Sequence, residues 1–411
     1  MISKSSTVGV IGLGYIGLPT AAILADHGVT TIGMDVSERN VTAVNNCEVP
    51  FVEPGLREVL ERAVSSGALT ASTQTPVADA YIVAVPTPFT DTHSADLSYI
   101  EAAADGIAAK LSGGELIILE STSPPGATEH MAARILAARP DLGPADIMVA
   151  HCPERVLPGK IMEEMISNDR IIGGLTPAAA EAAKDLYSAF CKGEFLLTDA
   201  RTAEMAKLTE NSFRDVNIAF ANELSVISHK LGIDVWELIE LANHHPRVNI
   251  LQPGPGVGGH CIAVDPWFIV DAAPEQANLI RTARETNDAK PEWVLGRIEQ
   301  ALEASGEAPT VALLGLAFKA NIDDLRESPS LHIAEKLAQR APDAKILAVE
   351  PHIQKLPTPL EQFGNVALTE LDEALERADV LVLLVDHDVF KSLPKSRLGS
   401  AAVIDTRGIW R

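Results

Sequence analysis

No apolar run in the 411 residues approaches the roughly 20 residues that a membrane-spanning helix requires. From Lys4 the chain passes straight into a strand-forming segment without a secretory leader pattern, so a chain with no membrane partner is expected. Cysteine is scarce. Cys47, Cys152, Cys191 and Cys261 are widely scattered and include no C-x-x-C pair. That spacing argues against a structural zinc site and a disulfide framework; no metal is expected, and a reducing cytoplasm fits best. Basic charge is also short: 33 Lys and Arg against 56 Asp and Glu leave −23. A nucleic-acid partner is thereby disfavoured, because phosphate backbones select basic surfaces. An anionic ligand would need the few basic side chains concentrated at its site. One core cannot serve a chain this long, and two or three domains are expected.

Against these absences stands a glycine-rich turn. Thr7–Ile11 reads as a buried strand, and Gly12-Leu13-Gly14-Tyr15-Ile16-Gly17 follows it into an apolar-periodic segment. In G-x-G-x-x-G the first glycine permits the tight turn, the second lets backbone approach a pyrophosphate, and the third lets helix and strand pack closely. The pyrophosphate then lies at the positive end of the helix. A second strand ends in Asp35, about 20 residues on, where a carboxylate accepts from ribose hydroxyls and repels a 2′-phosphate; NAD is favoured over NADP.

Buried runs at 81–85, 116–119 and 147–150 alternate with helical segments such as 97–111, which predicts a parallel sheet with helices on both faces. Ligands bind such sheets beyond the strand C-termini. Thr87 and Thr122 stand there, as hydroxyls for cofactor or substrate or equally as helix caps. Glu154 and Arg155 follow the next strand, as a ligand edge or as a surface ion pair.

Residues 202–231 contain no Pro or Gly, which predicts one long helix serving as a dimer or domain spine. Lys207, Asn211 and Arg214, spaced i, i+4, i+7, share one face of it. A shorter helix at 235–243 leads to His245 and Arg247, then to the loop 251–266. Five of the six residues Pro253–Gly258 are Gly or Pro, so no helix or central strand runs through it. Cys261 follows on backbone that a ligand can approach closely, although a buried structural cysteine beside a turn has the same look. A helix at 278–304 precedes strands at 311–316, 345–349, 380–385 and 402–404. This last unit lacks G-x-G-x-x-G, so a second dinucleotide is not expected; Lys319 and Arg326 are candidates for holding a nucleotide or sugar nucleotide. The reading is an α/β protein: two doubly wound Rossmann-like domains joined by a long central helix, with a first domain over 1–200, a central helical dimerisation domain carrying the loop over 201–305, and a third domain over 306–411.

The strings GLGYIGLP, AVPTPF, LESTSPPGAT, CPERVLPG, NDRIIGG, RTAEMAKLTENSFRDVNIAFANEL, ANHHPRVNILQPGPGVGGHCIAVDPWFIV and GLAFKANIDDLRESP together resemble the UDP-glucose/GDP-mannose (nucleotide-sugar 6-) dehydrogenase family over nearly the whole chain. NSFRDVNIAFANE, HPRVNILQPGPGVGGHCIAVDPWF and NIDDLRESP are closest to its mannosaminuronate branch. The resemblance implies a four-electron oxidation at sugar C6 with two NAD⁺ and one water, converting UDP-N-acetyl-D-mannosamine to UDP-N-acetyl-D-mannosaminuronate. UDP-glucose or another UDP-N-acetylhexosamine remains the alternative. It implies Cys261 as nucleophile, Lys207 as proton acceptor or alkoxide stabiliser, Asn211 as donor to the same oxygen, and Asp265 and Glu154 as the carboxylates handling protons and water. It implies substrate contacts from Arg155, Val156, Lys207, Asn211, Arg214, His245, Arg247, Gly258, Lys319 and Arg326. The cofactor would meet Gly12, Gly14, Tyr15, Ile16, Gly17, Asp35, Thr87 and Thr122. It further implies a homodimer or higher homo-oligomer in which Arg247 reaches the neighbouring subunit. His260, before the nucleophile, departs from the small residue usual in UDP-glucose enzymes.

Overall fold

A computed structural model describes residues 6–90, 92–259 and 261–411, so His260 lies outside the described residues. The chain forms two compact units, Met1–Glu210 and Asn211–Arg411.

In the first unit, eight strands form one sheet: β1 (Thr7–Ile11), β2 (Thr30–Met34), β3 (Leu69–Ser72), β4 (Ala80–Val83), β5 (Leu116–Leu119), β6 (Met148–His151), β7 (Arg170–Gly174) and β8 (Phe195–Asp199). Their spatial order is β3-β2-β1-β4-β5-β6-β7-β8. Alternate residues of the central strands enter two separate cores. Val8, Val10, Ile82, Leu116 and Ile118 pack on one face, and Ile11, Tyr81, Val83, Ile117 and Leu119 on the other. Burial on both faces is why these strands read as unbroken apolar runs rather than alternating ones.

The expected parallel pairing holds except at β6 and β7, which run antiparallel with Ala150 opposite Gly174 and His151 opposite Gly173. β3, β7, β8 and β11 (Val366–Leu368) are strands that the sequence reading does not contain. β3 and β11 are short, and β8 carries exposed Leu196 and Leu197, so apolar continuity gave no signal. β4 ends two residues before the apolar run does, because the amide of Val85 turns to the hydroxyl of Ser121.

The second unit holds the remaining sheet, which is wholly parallel: β9 (Thr310–Leu314), β10 (Lys345–Val349), β11, β12 (Val380–Leu383) and β13 (Ala402–Asp405), in the order β11-β10-β9-β12-β13. It too separates two cores. Val311, Leu313, Ile346 and Val382 pack with Val294, Leu295, Ile298 and Leu302 of the helix Asn278–Ala304; Leu314, Leu347, Leu381 and Leu383 face Phe390 and Trp410. The long helix spans Ala200–Leu231, about 48 Å at 1.5 Å per residue, and passes from the first unit into the second.

Candidate active site

The glycine turn of the first unit satisfies each of its three requirements. Gly12 has φ +95°, and a Cβ there would run into the carbonyl of Ala84. A Cβ on Gly17 would run into the carbonyl of Gly12, so only glycine lets the helix Gly17–Asp26 start this close to β1. Above Gly14 there is open space, where a ligand can approach bare backbone. Asp35 is half-buried; its Oδ2 accepts from the amide of Leu13 at 2.9 Å and its Oδ1 from Ser37 at 2.8 Å, which fixes the carboxylate at the turn with lone pairs to spare. Ile16 is the N-cap residue of a helix whose first turn no side chain caps; Leu18 N bonds Gly14 O at 3.1 Å and Pro19 has no N–H, so an anion would meet the amides ahead of them. Tyr15 stacks on Phe51 at 4.5 Å.

Ser121 locks the loops after β4 and β5 together. Its Oγ accepts from Val85 N at 2.9 Å and donates to Val85 O at 2.7 Å. Thr87 and Thr122 sit on these two loops, both half-buried, and the buried Oγ1 of Thr87 has no hydrogen-bond partner among the described residues. A buried hydroxyl left so is costly unless a ligand completes it. Cradle, carboxylate and orphaned hydroxyl fit a dinucleotide. Glu204, buried on the long helix, accepts from Gly126 N (2.6 Å), Thr128 N (2.7 Å) and Thr128 Oγ1 (2.6 Å), capping the helix Ala127–Ala138. One turn further comes half-buried Lys207.

Beyond β6, Glu154 is buried. Its Oε1 accepts from Arg155 N at 2.7 Å and its Oε2 from Arg170 at 3.1 Å. Arg155 is half-buried and pairs with Glu210 at 2.6 Å; Val156 beside it is half-buried. Cys152, two residues before Glu154, is fully buried, and burial pushes its thiol up to about 12. It is a structural cysteine.

Cys261 is exposed. In the second unit its carbonyl accepts from the amides of Val264 (3.1 Å) and Asp265 (2.8 Å), so Asp265 follows one turn later at the head of the helix Asp265–Ala272. Buried Asp265 accepts through Oδ2 from Asn211 Nδ2 at 2.5 Å. Both ends of the loop are clamped: Gly254 N donates to Asn222 Oδ1 at 2.9 Å, and Arg284 donates to Ile262 O at 3.3 Å. Asn222 Nδ2 donates to Asn287 Oδ1 (2.8 Å), Asn287 Nδ2 in turn donates to Asp215, and Asp215 pairs with fully buried Arg284. Burial pushes Asp215 up to about 6, against the opposing charge of Arg284. Gly258 and Gly259 press on the loop after β9: a Cβ on Gly258 would run into Glu327 O and Pro329, and one on Gly259 would lie 3.1 Å from the Phe318 ring. That loop carries Lys319 and Arg326, both exposed, and Arg326 is chelated by Asp324 at 2.9 and 2.6 Å. His245 and Arg247 are exposed on a separate loop, which Asn243 closes by bonding both N and O of Ile250. Arg214 is exposed on the long helix.

Within the first unit the structure therefore gathers the cofactor turn with Asp35, joins the Thr87 and Thr122 loops, and sets Glu154 beside Arg155. Within the second it gathers Cys261, Asp265 and Asn211 and docks their loop against the one bearing Lys319 and Arg326. Sequence reasoning missed Arg170, Arg284, Asn287 and Asn222. Asn222 alone stands in an apolar-rich stretch (VNIAFANELSVI); Arg170, Arg284 and Asn287 lie among polar neighbours and read as exposed side chains.

Residues 6–191 match the NAD binding domain of the UDP-glucose/GDP-mannose dehydrogenase family, residues 201–289 its central domain, and residues 312–411 its UDP binding domain. The chain belongs to this family: it is an NAD-dependent nucleotide-sugar dehydrogenase, an oxidoreductase. A relative from Ralstonia nicotianae, an NDP-N-acetyl-D-galactosaminuronic acid dehydrogenase, is 57% identical over 98% of this chain and 96% of its own. UDP-N-acetyl-D-mannosamine dehydrogenase of Salmonella typhi is 55% identical over 99% of each chain. The solved UDP-N-acetyl-mannosamine dehydrogenase Cap5O from Staphylococcus aureus is 42% identical, with a TM-score of 0.85 over 99% of this chain and 96% of that one. No helix among the described residues is long and apolar enough to cross a membrane.

Proposed function

We propose that the enzyme oxidises UDP-N-acetyl-D-mannosamine at C6 to UDP-N-acetyl-D-mannosaminuronate through covalent intermediates on Cys261. The observation that carries this reading is an exposed cysteine one turn before Asp265, whose carboxylate is held by Asn211. NAD, when bound, accepts a hydride from C6 in each of two successive oxidations. The first leaves an aldehyde, and the Cys261 thiolate adds to it because hydride departs from a tetrahedral adduct and not from a free aldehyde. The second converts the thiohemiacetal to a thioester, which water cleaves, releasing carboxylate and thiol. Asn211 donates to the reacting oxygen and Lys207 takes its proton or stabilises its charge. Asp265 and Glu154 serve the proton and water steps. Arg155, Val156, Arg214, His245, Arg247, Gly258, Lys319 and Arg326 hold the nucleotide sugar, and Gly12, Gly14, Tyr15, Ile16, Gly17, Asp35, Thr87 and Thr122 the cofactor. The three segments 1–200, 201–305 and 306–411 serve as cofactor, dimerisation and UDP-sugar regions.

A homodimer or higher homo-oligomer is part of this reading. Phe213, Phe220 and Ile227, 67%, 52% and 43% exposed, recur every seven residues along the long helix. An apolar stripe of that kind favours association. The charge of −23 speaks against a nucleic-acid partner, and a cytoplasmic location suits scattered cysteines and a nucleotide cofactor. A second reading, an NDP-N-acetyl-D-galactosamine-type substrate, is favoured by the 57% identity of the Ralstonia relative. Comparing kcat/KM for UDP-N-acetylmannosamine, UDP-N-acetylgalactosamine and UDP-glucose tests it. At least tenfold preference for the first is expected; preference for the second moves the assignment to the galacto sugar, and preference for glucose refutes both.

A further inference from the structure

Behind Glu154, the first unit buries a charged cluster that the catalytic steps do not use. Glu120 closes β5 and is fully buried; Thr20 Oγ1 and Tyr187 Oη each donate to it at 3.0 Å. Arg170, at the start of β7 and 4% exposed, lies 3.1 Å from Glu154 Oε2, 3.9 Å from Glu120 Oε1 and 3.8 Å from Cys152 Sγ. The guanidinium is stacked 4.6 Å over the Tyr187 ring and 5.3 Å over that of Phe190, so it cannot swing away. One cation thus faces two buried carboxylates. Burial, reinforced by the charge of Glu154, pushes Glu120 up to about 7 against Arg170 and the two hydroxyl donors. The other titratable neighbours are silent there. Burial pushes Cys152 up to about 12 and His151, in register with Leu119, down to about 3.

We propose that Arg170 is a positioning residue that orients Glu154, and that Glu120 is its counterweight. While Glu120 is neutral, the guanidinium serves Glu154 alone; once Glu120 ionises, the charge is divided between two anions and the grip on Glu154 loosens. The proposal rests on Glu154 acting in the proton and water steps. No proton passes through the cluster to substrate; its effect is the placement of one carboxylate.

The kcat–pH profile of NADH formation from the sugar nucleotide, measured with NAD saturating, tests this on Glu120→Gln, Arg170→Lys and Glu154→Gln. Glu120→Gln keeps the shape, and both hydroxyl contacts survive with one reversed: the amide oxygen accepts from one hydroxyl and the NH2 donates to the other. It is expected to retain both KM values within twofold and to flatten the change in kcat near neutral pH. Arg170→Lys is expected to lower kcat by about 10²-fold, the cost of a misplaced group, with both KM values unchanged. A Glu120→Gln profile superimposed on the parent's, or a folded Arg170→Lys enzyme with parental kcat, overturns the proposal. If Arg170→Lys does not fold, Glu120→Gln decides alone. Fully active Glu154→Gln would remove the premise, whereas impaired Glu154→Gln beside an unmoved Glu120→Gln profile sinks the counterweight only.

Discussion

One turn is built twice in this chain. After β1, Gly12 takes φ +95° and donates to Met34 O at 2.7 Å; after β9, Gly315 takes φ +93° and donates to Val349 O at 2.8 Å. In both, a carboxylate just past the neighbouring strand receives the amide behind the glycine: Asp35 from Leu13 at 2.9 Å, Glu350 from Leu316 at 2.8 Å and from Ala317 at 3.0 Å. From there the two part. Gly14 is exposed with open space above it and the helix begins at Gly17, whereas Leu316 and Ala317 are buried and the next helix begins only at Pro329. Asp35 keeps an accessible edge. Glu350 is buried against His387, whose Nε2 donates to it at 3.1 Å while its Nδ1 accepts from Asn321 N at 3.0 Å. The shared turn is thus a solution to crossing between parallel strands. What the first unit adds is bare backbone, an early helix and an uncovered carboxylate, the features on which the proposed dinucleotide seat rests.

The sharpest way to break this comparison is to put the same methyl group on each turn. Gly12→Ala is expected to abolish measurable NAD binding. Gly315→Ala, which meets Val385, is expected to lower the melting temperature while leaving the NAD Kd of the folded protein within twofold. Titration calorimetry decides, and equal loss of NAD binding in both would show that the turn itself does not separate the two sheets. A smaller effect comes from the carboxylates. Asp35→Ala is expected to weaken NAD about 10–100-fold, the worth of one or two hydrogen bonds to a charged group, and to narrow the preference over NADP. Glu350→Gln is expected to leave both unchanged.

The smallest effect is one of sign. Burial opposes ionisation of Glu350, but the His387 bond and the turn amides more than offset it and hold the carboxyl below its usual range. Its stabilisation is present above the unfolded value near 4.5 and is lost as pH falls. Glu120 is the reverse: raised to about 7, it costs nothing at pH 4, and the cost grows as pH rises from 4.5 through 7. Glu350→Gln is expected to melt below the parent at pH 7, the gap closing only as pH falls below 4.5 and through the lowered folded value. Glu120→Gln is expected to melt above the parent at pH 8 and to converge with it near pH 4. Shifts of a few degrees suffice for differential scanning calorimetry. Same-direction shifts would contradict the contrast between the two buried acids.

How much of this was legible in advance varied with how local each signal was. Thr7–Ile11, Leu116–Leu119, Val235–Asn243, Asn278–Ala304 and Lys345–Val349 match the sequence reading to the residue, because buried runs and uninterrupted helical periods are local properties. The antiparallel β6–β7 pair was not legible, since strand direction depends on where the chain goes between elements. Arg170 went unremarked for the same reason: within NDRIIGG it resembles a strand-edge charge, and only β7 lying beside β6 brings it to Glu154. Cys261 stood out from its glycine-rich approach, but the clamp of Asn222, Asn287 and Arg284 behind it joins residues up to 72 apart in sequence.

The most direct test of the account is the number of NADH formed per mole of limiting UDP-N-acetylmannosamine, with Cys261→Ser run beside the parent. Two NADH per sugar nucleotide, and no carboxylate product from the variant, is the predicted result. One NADH per sugar nucleotide, or a variant as active as the parent, would contradict the thioester route.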